Sequence, residues 1–157
     1  MSVNLSNGVR GGTFCLSKAG LAEGTNSATL KTAAPNGAGI DYCINGIAYH
    51  LADGDNIAMT ACAQQADDTS CLYLVSVNSS GTVTVTKGTE RSTEDVANGE
   101  FNLEWPEVPA GNCPIGGFKI VLDGGTFTSG TTDITGGTGV TETFYDFVTV
   151  PPACLTS

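Results

Sequence analysis

The chain has 157 residues, enough for one domain with a buried core, and its 6 Lys and Arg against 16 Asp and Glu leave a net charge of -10. No basic run is present to displace counterions from phosphates, which argues against direct DNA or RNA binding, and the acidic balance disfavours anionic membrane surfaces. Charged residues make up only 14%, well below the roughly 25% of an average globular chain, and abundant Gly, Thr, Ser and Asn suit an all-β protein with many turns.

The N-terminus, "MSVNLSNGVRGGTF", lacks the apolar run of a secretory leader, and no segment approaches the ~20 apolar residues of a membrane span. Three origins are open: a protein kept in the cytoplasm, one whose leader has been removed, or one that leaves the cell by a leaderless route, as virion components do. The first strand signals are "GTFCLSK" and "SATLKTA", separated by the glycine-containing "AGLAEGTN". "IDYCINGIAYHL" and "NIAMTAC" follow. Between them, Asp53-Gly54-Asp55-Asn56 resembles a fragment of a calcium loop, but the closing glutamate of that loop is missing. Asp-Gly is also an ordinary turn signal, so a turn between two strands is expected there.

His50, the only histidine, cannot alone make a His-based metal site. A catalytic triad would need a nucleophile and a carboxylate brought to it by the fold, and neither a G-x-S-x-G elbow nor a papain-like cysteine signature is present. A structural or exposed histidine is the simpler expectation.

The clearest unit is "CLYLVSVNSSGTVTVTKG". Residues 71–75 alternate faces, Asn78-Ser79-Ser80-Gly81 turns, and Val83 and Val85 alternate with threonines, the pattern of a β-hairpin. "TERSTEDVANGEFNLEWPEVPAGNCP" reads as a long connection with one short helical turn around Thr93 to Ala97. Within it, Trp105 fits a sugar-stacking platform, an interface anchor, or a core or loop-pinning side chain. Strands return in "IGGFKIVLD" and "GVTETFYDFVTV", and the intervening "GGTFTSGTTDITGGTG" is expected to be an extended loop or flap. The acidic pairs Asp67-Asp68 and Glu94-Asp95 lie in polar segments where solvated carboxylates are the default. No P-loop, internal repeat or second domain is visible, and no cofactor is implied.

Six cysteines occur, at 15, 43, 62, 71, 113 and 154. None forms the CxxC pair of zinc ribbons and redox motifs. Full disulfide pairing and a set of buried thiols are both open; Cys62 and Cys71, which bracket the polar "AQQADDTS", are the candidate disulfide. The expected fold is a single β-sandwich or jelly-roll-like barrel over residues 1–157 with long Gly/Thr-rich loops, residues 1–12 forming a possible N-terminal arm.

The ordered set "INGIAYHLADGDNIAMT", "CLYLVSVNSSGTVTVTKG", "WPEVPAGNCPIGGFKIV" and "TFTSGTTDIT" resembles small virion proteins of tailed bacteriophages, in particular capsid decoration (cement) and related head-associated proteins. The resemblance runs from Ile44 to Val150, and its motifs are structural. It implies a non-enzymatic protein, assembled in the host cytoplasm, that binds the outer face of the major capsid protein shell, often as a homotrimer, and reinforces the shell. The cysteine count departs from that scheme. On this reading Trp105, Phe144, Tyr145 and Phe147 are candidate self or shell contacts, with an ordinary core strand as the alternative for the last three. The loop 124–139 and the arm Met1–Gly12 are further candidates. The rival expectations are a head-fibre or tail-associated receptor- or glycan-binding module, and a small hydrolase built around His50.

Overall fold

The hairpin organises the structure, a computed structural model that describes residues 12–148. Strand β7 (Thr69–Asn78) turns into β8 (Val83–Lys87). Asn78 builds the tip: its side-chain oxygen accepts the amides of Ser80 (2.9 Å) and Thr82 (3.0 Å), and Gly81 takes φ +79°. An Asn that brackets the turn and a glycine that tolerates positive φ are the chemistry a tight hairpin needs.

On its other side β7 pairs with β10 (Asn112–Leu122), which in turn pairs with β11 (Val140–Asp146). The main sheet therefore runs β11-β10-β7-β8, with the short β9 (Arg91–Ser92) joining the start of β7. β7 is buried along almost its whole length, as expected of a central strand covered on both faces. Pro114 lies in the equally central β10, where a missing N–H would break the ladder. The register shifts between Pro114 and Gly116, so a bulge absorbs the defect.

Two smaller antiparallel sheets complete the fold. One is β1 (Phe14–Cys15), β4 (Ile40–Ile44) and β5 (Ile47–Leu51), in the order β1-β4-β5. Its β4–β5 turn is Asn45-Gly46, both at positive φ (50° and 82°), as a two-residue hairpin demands. The other is β2 (Leu21–Glu23), β3 (Thr29–Thr32) and β6 (Gly54–Ala58), in the order β2-β3-β6. A single core draws on all three sheets: Tyr42 and Ile40 from one, Leu21 and Leu30 from another, and Tyr73, Phe118, Ile115 and Ile120 from the main sheet. At its centre Tyr73 and Phe118 stack with centroids 5.0 Å apart, and Phe127 meets Tyr73 edge-on at 5.3 Å. Burying each such side chain stabilises the fold by about 1.5–3 kcal/mol. The architecture is all-β and sandwich-like, as the composition indicated. The short helix α1 (Thr93–Ala97) falls where the sequence placed a helical turn.

Three expectations need correction. "AGLAEGTN" is not merely a separator, since it contains β2, whose Leu21 packs over Gly116 where no side chain blocks it. The turn near Asp53 is shorter than expected, because Gly54, Asp55 and Asn56 already belong to β6 of a different sheet. The Gly/Thr-rich segment 124–139 is a loop, as expected, but no flap: Phe127, Ser129 and Ile134 within it are completely buried. Two apolar side chains suffice to sink it into the core, while carboxylates take its backbone amides. Asp67 accepts from Gly124 and Gly125 (2.8 and 2.9 Å), and Glu23 accepts from Ile134 and Thr135 (2.9 and 3.3 Å).

A candidate interaction surface around Trp105

The segment after α1 crosses the outer face of the main sheet and lays Trp105 on Gly117. Leu74, Gly117 and Tyr145 form one cross-strand row, and a Cβ on Gly117 would collide with the indole and with the Tyr73 carbonyl. The glycine is thus a seat that only a missing side chain can provide. Tyr145 and Phe147 close on the indole edge-to-face, with centroids 5.7 and 4.9 Å from it and ring planes at 84° and 90°. Trp105 and Tyr145 nevertheless stay 37% and 38% exposed. The result is a rigid aromatic ridge, half sunk in the sheet and half offered to solvent. Phe101 and Val108 on the same segment are also exposed, and the Arg91 guanidinium sits 5.1 Å above the Phe101 ring.

Of the four aromatic residues singled out from the sequence, three meet here and one does not. Phe144 points to the opposite face, where it is the cross-strand partner of buried Phe118, with ring centroids 5.8 Å apart. Strand alternation separates it from Tyr145; it packs against the core and is no part of the ridge. The arm is outside the described residues except for Gly12.

The disulfide expectation also fails. Cys62 and Cys71 are both free thiols, as are Cys15, Cys43 and Cys113, and Cys154 lies outside the described residues. Cys62 donates to the Val85 carbonyl at 3.6 Å and Cys71 to that of Gly88 at 3.4 Å. Burial, which penalises the thiolate, pushes Cys71 up to about 11 and Cys113 up to about 12.

The polar clusters turn out to be braces. His50 Nδ1 lies 2.8 Å from Asp41 Oδ1, its cross-strand partner, in an exposed pair. The nearby Ser17 hydroxyl accepts the Asp41 amide (2.8 Å), and among the described residues no hydroxyl or thiol is hydrogen-bonded to the imidazole. Asp53 accepts the Ala34 amide at 2.8 Å. Asp55 takes the amide (2.8 Å) and hydroxyl (2.5 Å) of Thr25, and these bonds hold its carboxyl below the usual carboxylate range. Asn56 accepts the Asn26 amide at 2.7 Å. Asp55 and Asn56 together staple β6 to the turn between β2 and β3, while Asp53 holds the chain just after β3. Glu94 and Asp95 occupy the first turn of α1, whose cap Ser92 accepts the Asp95 amide. An open hollow of about 480 Å³ beside α1 is lined by Asp68, Glu94 and Asp123 and offers no cation to an anionic ligand. Among the described residues no group of three or more His, Cys, Asp or Glu is arranged to hold a metal ion, and no helix is long and apolar enough to cross a membrane.

Gly117 and Gln65 were not singled out from the sequence. The Gly-Gly inside "IGGFKIV" was the available signal for the first, since glycine in a strand interior marks close approach. Nothing in its polar neighbourhood marked Gln65 as a core residue. Comparisons with protein families, with curated proteins and with solved structures found no match to this chain.

Proposed function

We propose that this is a non-enzymatic structural protein of a tailed-phage virion, which attaches to the outer surface of the major capsid protein shell and stabilises it. The observation that carries this reading is the Trp105–Tyr145–Phe147 ridge. Large, rigid, half-exposed aromatic side chains on a sheet are the anchors that protein–protein contacts bury at their centre. A ligand that binds the assembled shell but not its free subunits stabilises assembly by mass action, and several attached copies per particle multiply the effect.

The same aromatics keep the glycan-binding alternative in view, but the geometry favours a protein partner. Because the neighbouring rings stand nearly perpendicular to the indole, the cluster is ridged rather than the flat platform a sugar face stacks on. Antibody raised against the chain, applied to negatively stained virus particles from its own source, tests the proposal. Labelling of heads is the expected result. Labelling confined to tails or fibres would favour the alternative, and particles that bind no antibody would overturn both.

A further inference from the structure

We infer that the open edge of β11 is a self-pairing surface, joining two copies of this chain about a two-fold axis centred on Thr143. The argument begins with the ladder. Phe147 donates its amide to the Ile115 carbonyl at 3.1 Å, and at the other end Asp123 donates to Gly139 at 2.9 Å. These two bonds fix the parity of the β10–β11 pairing. Odd-numbered residues of β11 turn their backbone groups toward β10, so Glu142, Phe144 and Asp146 turn theirs outward, as does the carbonyl of Val140. Among the described residues nothing accepts from or donates to these outward groups. At seven residues β11 is the longest strand at any sheet edge.

The opposite edge of the same sheet is treated differently. On β8, the Val85 amide is taken by the Thr60 hydroxyl (3.3 Å) and its carbonyl by Cys62 (3.6 Å). One edge is closed by a covering segment, the usual protection against unwanted pairing, while among the described residues the backbone of the longer one is left unpaired, although the Asp146 side chain accepts the Leu21 amide at 3.1 Å. A head-to-tail ring through this sheet would need β8 to receive β11, and β8 is occupied. The free edge suits an isologous, two-fold contact.

Charge selects the register. Antiparallel self-pairing centred on Glu142 would set that carboxylate opposite its own copy, and centring on Phe144 would set Glu142 opposite Asp146. Both oppose like charges. Centring on Thr143 puts Glu142 opposite Phe144, Asp146 opposite Val140 and Tyr145 opposite Thr141, with Thr143 meeting itself. Every outward-facing residue then finds a partner, and no acid faces an acid. The two aromatic ridges would also share one outer face of a continuous sheet. This inference is independent of the shell reading and stands or falls on the purified chain alone.

The test is the mass of the full chain by sedimentation equilibrium, alongside two variants. The wild type should weigh twice its 16.0 kDa. Glu142→Pro removes an outward N–H, together with the carboxylate, while leaving the bonds to β10 in place, and should give a folded monomer with an unchanged circular dichroism spectrum. Thr143→Cys should yield a covalent dimer under copper–phenanthroline and oxygen, which take up the two electrons as the two thiols join; Thr141→Cys should not. A monomeric or trimeric wild type would overturn the inference. So would a dimer that survives Glu142→Pro, or equal cross-linking through positions 141 and 143. If Glu142→Pro fails to fold, the cross-linking contrast decides.

Discussion

Tyr73 donates its phenol hydrogen to the side-chain oxygen of Gln65 at 3.1 Å, and both residues are completely buried. The amide nitrogen of Gln65 donates onward to the carbonyls of Thr69 (2.9 Å) and Ile120 (3.3 Å). One glutamine thus ties the chain before β7 to the two central strands, while its backbone amide bonds Phe127 of the Gly/Thr-rich segment at 2.8 Å. Tyr73→Phe leaves the Gln65 oxygen buried without a donor and should destabilise by about 1–3 kcal/mol. Urea unfolding of Tyr73→Phe, Gln65→Leu and the double variant measures the coupling. Additive losses would show that the two residues act separately.

Asp67 accepts the amides of Gly124, Gly125 and Asp68, and these bonds, that from Gly125 foremost, hold its carboxyl below the ordinary value of 3.8. A depressed carboxylate contributes stability that is present above its unfolded pKa and is lost as pH falls through the folded one. Asp67→Asn should therefore narrow the difference between urea midpoints at pH 6 and pH 3. It should also make the 124–139 segment more susceptible to protease. An unchanged pH dependence would contradict the assignment.

At alkaline pH the sign reverses. The folded thiols of Cys71 and Cys113 titrate at about 11 and about 12 against an ordinary 9.0, because burial disfavours the thiolate. Their contribution to stability is complete below pH 9 and is lost as pH rises toward these folded values, with a slope of about 1.4 kcal/mol per pH unit per thiol. Urea midpoints should fall between pH 9 and pH 11, and Cys71→Ala should shrink that fall. In native protein at pH 8, Ellman's reagent should leave both thiols unmodified until denaturant is added.

Gly117→Ala forces a methyl group into the Trp105 ring and the Tyr73 carbonyl. The indole is the element that can move, so its fluorescence should shift to longer wavelength with a stability loss of about 1–3 kcal/mol. An unshifted spectrum would show that Trp105 is not seated on the glycine.

Local patterns in the sequence carried the hairpin, the all-β character and the helical turn at Thr93, because alternation, turn residues and capping act between near neighbours. Trp105, Tyr145 and Phe147 were nameable as contacts for their size alone. That they converge follows from the β10–β11 register, which sets Tyr145 beside Gly117, and from a connection whose path over the sheet no periodicity records. Of the two readings open for Phe144, contact or core strand, the second describes its packing on Phe118, since a run of aromatic residues does not declare which member faces the core. The Asp53–Asn56 cluster looked like a turn because its partners, Ala34, Thr25 and Asn26, are distant in sequence. Free cysteines followed the same logic: bracketing a polar loop brought Cys62 and Cys71 under suspicion, but each sulfur has its own carbonyl partner.

The most direct test of the proposed function is co-sedimentation of the purified chain with DNA-filled tailed-phage heads, the partner proposed for it, comparing wild type with folded Trp105→Ala. Saturable binding of the wild type, weakened at least about tenfold by the loss of one aromatic anchor, is the predicted result. A wild-type chain that stays in the supernatant at every concentration would contradict it.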